Sequence, residues 1–220
     1  EPLFSENSYG FRPRRNAHQA IKKAEEYYKQ GYVKVVDIDL AKYFDTVNHD
    51  ILINSLRKEI KDEAVISLIR KFLKSGVMIK GIVNKTQEGT PQGGNLSPLL
   101  SNIYLTAFDQ TLESRGHKFV RYADDCNIYV KSQRAAERVM TSCTKYLEDK
   151  LKLKVNQEKS KAGSPLMLKF LGFSLYKIGK KTGIRPHGKP IEDFKKKIRQ
   201  LTSRKQAKPI TEILKGIRKY

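Results

Sequence analysis

No apolar run in this chain approaches ~20 residues, so a membrane-spanning helix is not expected. Cysteine is scarce: Cys126 and Cys143 form neither a CxxC pair nor a Cys/His cluster, which argues against zinc and against a disulfide scaffold. There is no signal-peptide pattern, internal repeat or low-complexity tract, and Glu1 in place of an initiating Met reads as a fragment. Negative charge is also thin. Twenty-three Asp plus Glu face 44 Lys plus Arg, a net charge of +21 over 220 residues. A surplus of that size points to a polyanion, either nucleic acid or an anionic membrane surface. The length suits one good-sized domain or one domain with the start of a second, and 39% hydrophobic residues can bury a core.

The surplus is uneven. Residues 1–150 hold 24 basic and 19 acidic side chains, net +5, whereas residues 151–220 hold 20 and 4, net +16. Gly179, Gly183, Pro186, Gly188 and Pro190 punctuate the change in composition and place a boundary near residue 180.

Alternating elements are expected. Asn16 caps a helix through Ala20, Ile21, Ala24 and Tyr28 that stops at Gly31. Tyr32 to Asp39 is short and β-branched, the pattern of a buried strand. Helical spacing follows around Ile51–Ile60 and Ala64–Leu73, then a hairpin over Val77–Gly89 with its turn near Asn84-Lys85. A long helix over Ser97–Arg115 precedes strands at Phe119–Ala123 and Asn127–Val130, separated by Asp124-Asp125-Cys126. A helix over Ala135–Lys150, strands near Leu153–Val155 and Leu168–Tyr176, and two basic helices over 191–204 and 209–219 complete the chain. The order from Tyr32 onward resembles a ferredoxin-like βαββαβ core of the α+β class.

Carboxylates stand where strands should be apolar: Asp37 and Asp39 end one strand, and Asp124 and Asp125 occupy a tight connection. Such a group near a sheet centre repels itself unless a cation neutralises it, and oxygen ligands without His or Cys select Mg²⁺ or Mn²⁺ over zinc. Asp37 and Asp39 share a face because side chains alternate along a strand; Asp39, at the end, is the better placed ligand. The block Gly89-Thr90-Pro91-Gln92-Gly93-Gly94-Asn95-Leu96-Ser97-Pro98 opens the long helix; its paired glycines let backbone approach a ligand, and an extended loop with a helix cap is the alternative.

Six motifs occur in order: SYGFRPRRNAHQAI (8–21), VVDIDLAKYFDTVNHDIL (35–52), GTPQGGNLSPLLSNIYL (89–105), VRYADDCNIYV (120–130), LKVNQEKSK (153–161) and KFLGFSLY (169–176). Together they resemble the successive motifs of group II intron-encoded reverse transcriptases, or intron maturases, over roughly residues 4–176. The resemblance implies a right-hand polymerase: partial fingers over 1–31, a palm with inserted fingers elements over 32–178, and a linker with the beginning of a basic thumb or maturase region over 179–220. It implies Asp39, Asp124 and Asp125 as catalytic metal ligands with the Leu40 carbonyl beside them, and two Mg²⁺ ions as cofactors. Phe44 matches the residue beneath the incoming sugar, although core packing is an alternative. Gln92 and Gly93 match the contact to the template–nucleotide pair. Lys159 matches the lysine that protonates pyrophosphate, with a plain surface lysine as the alternative. Phe170, Leu171, Gly172 and Phe173 match the primer grip, where Gly172 is expected to let backbone approach backbone. Arg12, Arg14 and Arg15 are expected either to contact RNA or to structure the fingers, and Lys195, Lys196, Lys197 and Arg199 to bind RNA.

The partners implied are group II intron RNA, an RNA template with a DNA primer, and deoxynucleoside triphosphates, in a bacterial or organellar cytoplasmic setting away from membranes. Monomer and homodimer both stay open. The family's N-terminal fingers segment, which clamps the triphosphate, is expected to lie outside these 220 residues. Two other classes compete: an RNA-binding splicing factor using the palm as a scaffold, and a nucleotide cyclase. A cyclase would carry a Gly-Gly-Asp/Glu hairpin rather than Tyr-Ala-Asp-Asp and would not need a +16 tail.

Overall fold

The computed structural model describes residues 3–75, 77–79, 82–84, 88–90, 94–203, 205 and 209–219. Helix α1 (Ala17–Lys29) starts at Asn16 with a reciprocal cap: the Asn16 side chain accepts from Gln19 N–H, and the Gln19 side chain accepts from Asn16 N–H. Strand β1 (Lys34–Ile38) is followed by a single turn α2 (Tyr43–Thr46) and helices α3 (His49–Glu59) and α4 (Glu63–Lys74), the last two capped by Asn48 and Asp62. Strands β2 (Val77–Ile79) and β3 (Ile82–Asn84) pair with Ile79 opposite Ile82, so the chain reverses there and not near Asn84-Lys85. Helix α5 (Ser97–Ser114), strands β4 (Lys118–Tyr122) and β5 (Asp125–Val130), and helix α6 (Gln133–Asp149) follow. Strands β6 (Lys161–Gly163), β7 (Phe173–Ile178) and β8 (Lys181–Pro186) and helices α7 (Gly188–Leu201) and α8 (Ile210–Lys219) end the chain.

Four strands form one antiparallel sheet in the order β4-β5-β1-β6, the ferredoxin-like arrangement. Its edge strand is Lys161–Gly163 and not Leu153–Val155. The Leu-Lys-Leu-Lys-Val alternation there does bury Leu153 and Val155, but it makes a single bridge to Leu40, because β1 has already ended at Ile38. One sheet face carries Val36, Ile38, Phe119, Cys126, Ile128 and Val130 into the main core against α3, α5 and α6. The other carries Val35, Val120 and Tyr129 against α1, Tyr9 and Phe170.

Two further expectations change. Leu168–Tyr176 is not one strand: Leu171 (φ 51°) and Gly172 (φ 84°) turn the chain, and Phe170 and Phe173 exchange backbone hydrogen bonds of 2.8 and 2.9 Å across that turn. The punctuated stretch after residue 179 is no plain linker either, since Lys181–Pro186 pairs along its length with Phe173–Ile178. Gly and Pro mark a hairpin turn there as readily as a boundary.

Candidate active site

Antiparallel register brings the separated carboxylates together. Strands β1 and β5 pair Asp37 with Asn127 and Ile38 with Cys126, where the ladder ends with Asp39 next after Ile38 and Asp125 next before Cys126. Asp37, Asp39 and Asp125 therefore point to one face, the side opposite the main core. The β4–β5 connection is tighter than expected. Tyr122 pairs directly with Asp125, so Ala123 and Asp124 alone make the turn, and Ala123 takes φ 57°, a conformation costly for a residue with a Cβ. Asp125 and Cys126 already belong to the strand.

Electrostatics report the crowding. Burial pushes the Asp125 carboxyl up to about 7, with Asp37, Asp124 and Asp39 adding like charge and Lys169 opposing. Asp37 rises to about 6 through burial and then Asp39, moderated by Lys169 and Lys161. Asp124 is raised by burial, held back by its own backbone N–H, and raised further by Asp39. This donor set of hard oxygens short of positive charge fits a divalent cation chemically. Among the described residues, no group of three or more His, Cys, Asp and Glu side chains closes on an ion as it stands.

The Asp39 backbone is anchored: its N–H donates to Ser160 Oγ at 3.1 Å and its carbonyl accepts from Asn156 N–H at 2.9 Å. Ala41 N–H donates to the Lys154 carbonyl at 2.8 Å, so residues on either side of Leu40 make this bridge and the Leu40 carbonyl lies outside it. Phe44 is half-buried, edge-on to Tyr43 with ring centroids 5.3 Å apart, and its carbonyl accepts Thr90 N–H at 2.6 Å. Gly89 (φ 89°) sits so close that a Cβ there would lie 2.7 Å from the Phe44 carbonyl oxygen. The start of the Gly-rich block is thus docked beside Phe44, whereas Gln92 and Gly93 lie outside the described residues.

Lys159 is exposed, with its N–H donating to Asn156 Oδ1. In the 170–173 turn, Phe170 packs into the second core, and Phe173 lies 5.8 Å from the His18 ring. Gly172 has nothing within 4 Å of a would-be Cβ, so close backbone approach is not its reason; its positive φ is. Arg12 donates to the Ser5 and Ser8 carbonyls and lies over the Phe4 ring, and Arg15 pairs with Glu6 over the Tyr9 ring. Arg14 is exposed at φ 60°. Lys195, Lys196, Lys197 and Arg199 are exposed on α7, well away in sequence from the carboxylates.

Several residues that matter escaped the sequence reading. Lys161 and Lys169 face the carboxylates, and only their place at the edges of two motifs hinted at this. Behind the turn, fully buried Arg121 donates through Nε and Nη2 to Asp109 at 2.7 and 2.6 Å, and through Nη1 to Asn102 Oδ1 at 3.0 Å and the Ala123 carbonyl at 2.8 Å. Burial opposes the Arg121 cation, but the Asp109 carboxylate outweighs it and raises the guanidinium above its ordinary value. Asn102 Nδ2 in turn donates to the Gly10 carbonyl at 2.8 Å, and the N-terminal segment lies against Arg121 through Tyr9 N–H at 2.8 Å.

Gly10 presses on the turn itself: a Cβ there would lie 2.3 Å from Ala123 N, an overlap with backbone that no side-chain motion relieves. Gly10→Ala is expected to cost about 1–3 kcal/mol of stability, the usual range for overpacking. Gly188→Ala, with open space around it, should stay near wild type. Urea unfolding of both checks this, and equal stability of the two variants would disprove the contact.

A family model described as "Reverse transcriptase (RNA-dependent DNA polymerase)" matches residues 2–175. Protein YkfC of Escherichia coli is 34% identical over 203 residues, 73% of this chain and 53% of that protein. The group II intron-encoded protein LtrA of Lactococcus lactis is 42% identical over 121 residues, 55% of this chain and 20% of LtrA. The chain thus spans about half of the first relative and a fifth of the second. A solved telomerase from Candida albicans, in complex with a fragment of telomeric RNA, shares the fold at TM-score 0.66 and 13% identity, over 82% of this chain and 36% of that one.

Proposed function

Because the chain belongs to the reverse transcriptase (RNA-dependent DNA polymerase) family, we propose that it forms the palm-centred core of an RNA-directed DNA polymerase of the group II intron type. The reading rests on one observation above the rest: the β1–β5 pairing ends at Ile38 and Cys126, so Asp39 follows it close enough to raise Asp124 and Asp125 by its charge. Asp39, Asp124 and Asp125, with the Leu40 carbonyl, would hold two Mg²⁺ ions, for which Mn²⁺ can substitute. Such ions supply Lewis acidity and charge neutralisation to phosphoryl transfer. The primer 3′-hydroxyl loses its proton to solvent as its oxygen forms the new bond to the α-phosphorus and pyrophosphate leaves with the electron pair, and Lys159 stands as the proton donor to that leaving group. Gln92 and Gly93 contact the templated nucleotide, and residues 170–173 support the primer. Residues 1–31 contribute to the fingers, 32–178 to the palm, and the basic stretch from 179, with Lys195, Lys196, Lys197 and Arg199, begins an RNA-binding thumb that engages intron RNA.

Primer extension on an RNA template is the test, in a version of the chain carrying the flanking segments its longer relatives have. Extension is expected with Mg²⁺ and is lost on adding EDTA. Extension indifferent to EDTA would reject the cation-dependent reading.

The same assay tests Phe44. Its carbonyl holds the docked Gly89-Thr90 segment, and its half-buried ring, packed against the main core, would stack on a deoxyribose and exclude a 2′-hydroxyl. Phe44→Val should raise the ribonucleotide to deoxyribonucleotide ratio of kcat/KM by at least about tenfold, the scale of a lost steric contact of 1–3 kcal/mol. An unchanged ratio in a folded variant would leave Phe44 as core packing.

A further inference from the structure

A wide groove among the described residues lies away from the carboxylates. It runs along the outer side of α6, where about 620 Å³ is lined in part by Arg115, Arg138, Lys145 and Lys150. It continues round the far end of the sheet through about 410 Å³ beside Lys118 and Lys131, with Arg138 and Ser142 common to both stretches. Helix α6 packs on the main-core face of the sheet, so the stretch along α6 is on the opposite side from Asp125.

Its charge is unlike that of the rest of the body. Six cations face two lining carboxylates, Glu137 and Asp149, net +4, while all of residues 1–150 together carry only +5. Five basic side chains elsewhere in the body do form ion pairs: Arg15 with Glu6, Lys23 with Glu26, Lys29 with Glu25, Arg57 with Glu63 and Arg121 with Asp109. None of the six groove cations forms an ion pair with a described residue. Arg115 is instead positioned at the groove by donating through Nη1 to Ser142 Oγ at 2.8 Å. A concave surface of net positive charge concentrates an anionic partner.

The aromatics decide which form of polyanion fits. Sites for unpaired strands combine a basic track with aromatic platforms on which bases stack. Here Tyr146 already stacks on Phe108, with centroids 6.0 Å apart and rings at 27°, and donates its hydroxyl to the Ala107 carbonyl. The Tyr32 ring has Lys131 Nζ over it at 5.5 Å and the Tyr27 edge beside it. The groove offers phosphate contacts and no stacking platform.

We propose that this groove holds the phosphate backbone of a double-helical RNA segment, remote from the catalytic turn. The choice of RNA over DNA rests on the polymerase reading above; the groove itself does not. The experiment is fluorescence-anisotropy binding to an RNA hairpin, a single-stranded RNA of equal length and a DNA duplex of the same sequence, across a salt series. It compares wild type with Lys118→Gln/Lys131→Gln/Arg138→Gln/Lys145→Gln, and both proteins are also assayed on a short primer–template. For the hairpin, the variant is expected to lose about 3–4 units of salt slope, near 0.9 per duplex phosphate contact, and about 10²–10³-fold in affinity at 0.1 M salt. Single-stranded binding and short-substrate extension should change little. Unchanged hairpin affinity overturns the proposal, as does equal weakening for single strands, a loss larger for DNA than for RNA, or a parallel loss of extension. Wild type that binds the hairpin through the groove but extends no primer would instead count against the polymerase reading.

Discussion

Asp124→Asn is expected to extend an RNA-templated primer about 10²–10³ times more slowly than the native protein, with Asp39→Asn and Asp125→Asn in the same range. Each exchange keeps shape and removes one anionic oxygen from the proposed cation site. A bound divalent cation contributes several kcal/mol to phosphoryl transfer, and each 1.36 kcal/mol is a factor of ten. Folding should not suffer. Burial and the neighbouring acids already oppose ionisation of Asp125, so a neutral amide relieves repulsion, and urea midpoints should match or exceed wild type. RNA affinity should also hold, because no basic side chain is lost. Near-native extension by any of the three would remove that residue from the site. Slow extension accompanied by a lower urea midpoint would assign it a structural role.

Arg121→Met is expected to cost about 3–5 kcal/mol of stability, since it leaves the Asp109 carboxylate buried without a partner. Asp109→Leu should cost a similar amount by stranding the guanidinium. The double variant should recover most of the loss, because an apolar pair of like volume removes both desolvation penalties. Arg121→Lys should fall between, as a lysine ammonium cannot reproduce the two-pronged contact to Asp109 together with the bonds to Asn102 and Ala123. Because the Ala123 bond braces the left-handed turn beside Asp124, Arg121→Lys is also expected to lower kcat more than it raises KM for the nucleotide. Urea unfolding and steady-state extension measure the two effects. Single variants within about 1 kcal/mol of wild type, with kcat unchanged, would show that the network neither stabilises nor braces.

Local chemistry was legible without coordinates. The apolar spacing and Asn16 cap of α1, the Gly116 stop after α5, the β-branched run of β1 and the two basic terminal helices all depend on contacts within a few residues. The order of the six motifs carried the palm topology, and the position of acids at a strand end and in a strand connection singled out Asp37, Asp39, Asp124 and Asp125. Where the sequence misled, a local pattern had two outcomes. Alternation at 153–155 buried side chains without pairing them into a strand, and Gly-rich punctuation after 178 made a hairpin turn rather than a linker.

What only the tertiary structure decided involves residues far apart along the chain. Register across β1, β5 and β6 placed Asp37 beside Lys161 and level with Asn127, one pair before the ladder ends at Ile38 and Cys126. Arg121 reads as one more charge on a strand. It became the brace of the turn because Asp109 and Asn102 of α5 were packed beneath it. The nearly balanced body hid a groove of net +4, because its cations come from the end of α5, the start of β4, the end of β5 and one side of α6. Side-chain direction within an element follows its own periodicity, which a sequence displays. Which elements then meet is set by long-range burial and pairing, and that is where the acids, the brace and the groove acquired their neighbours.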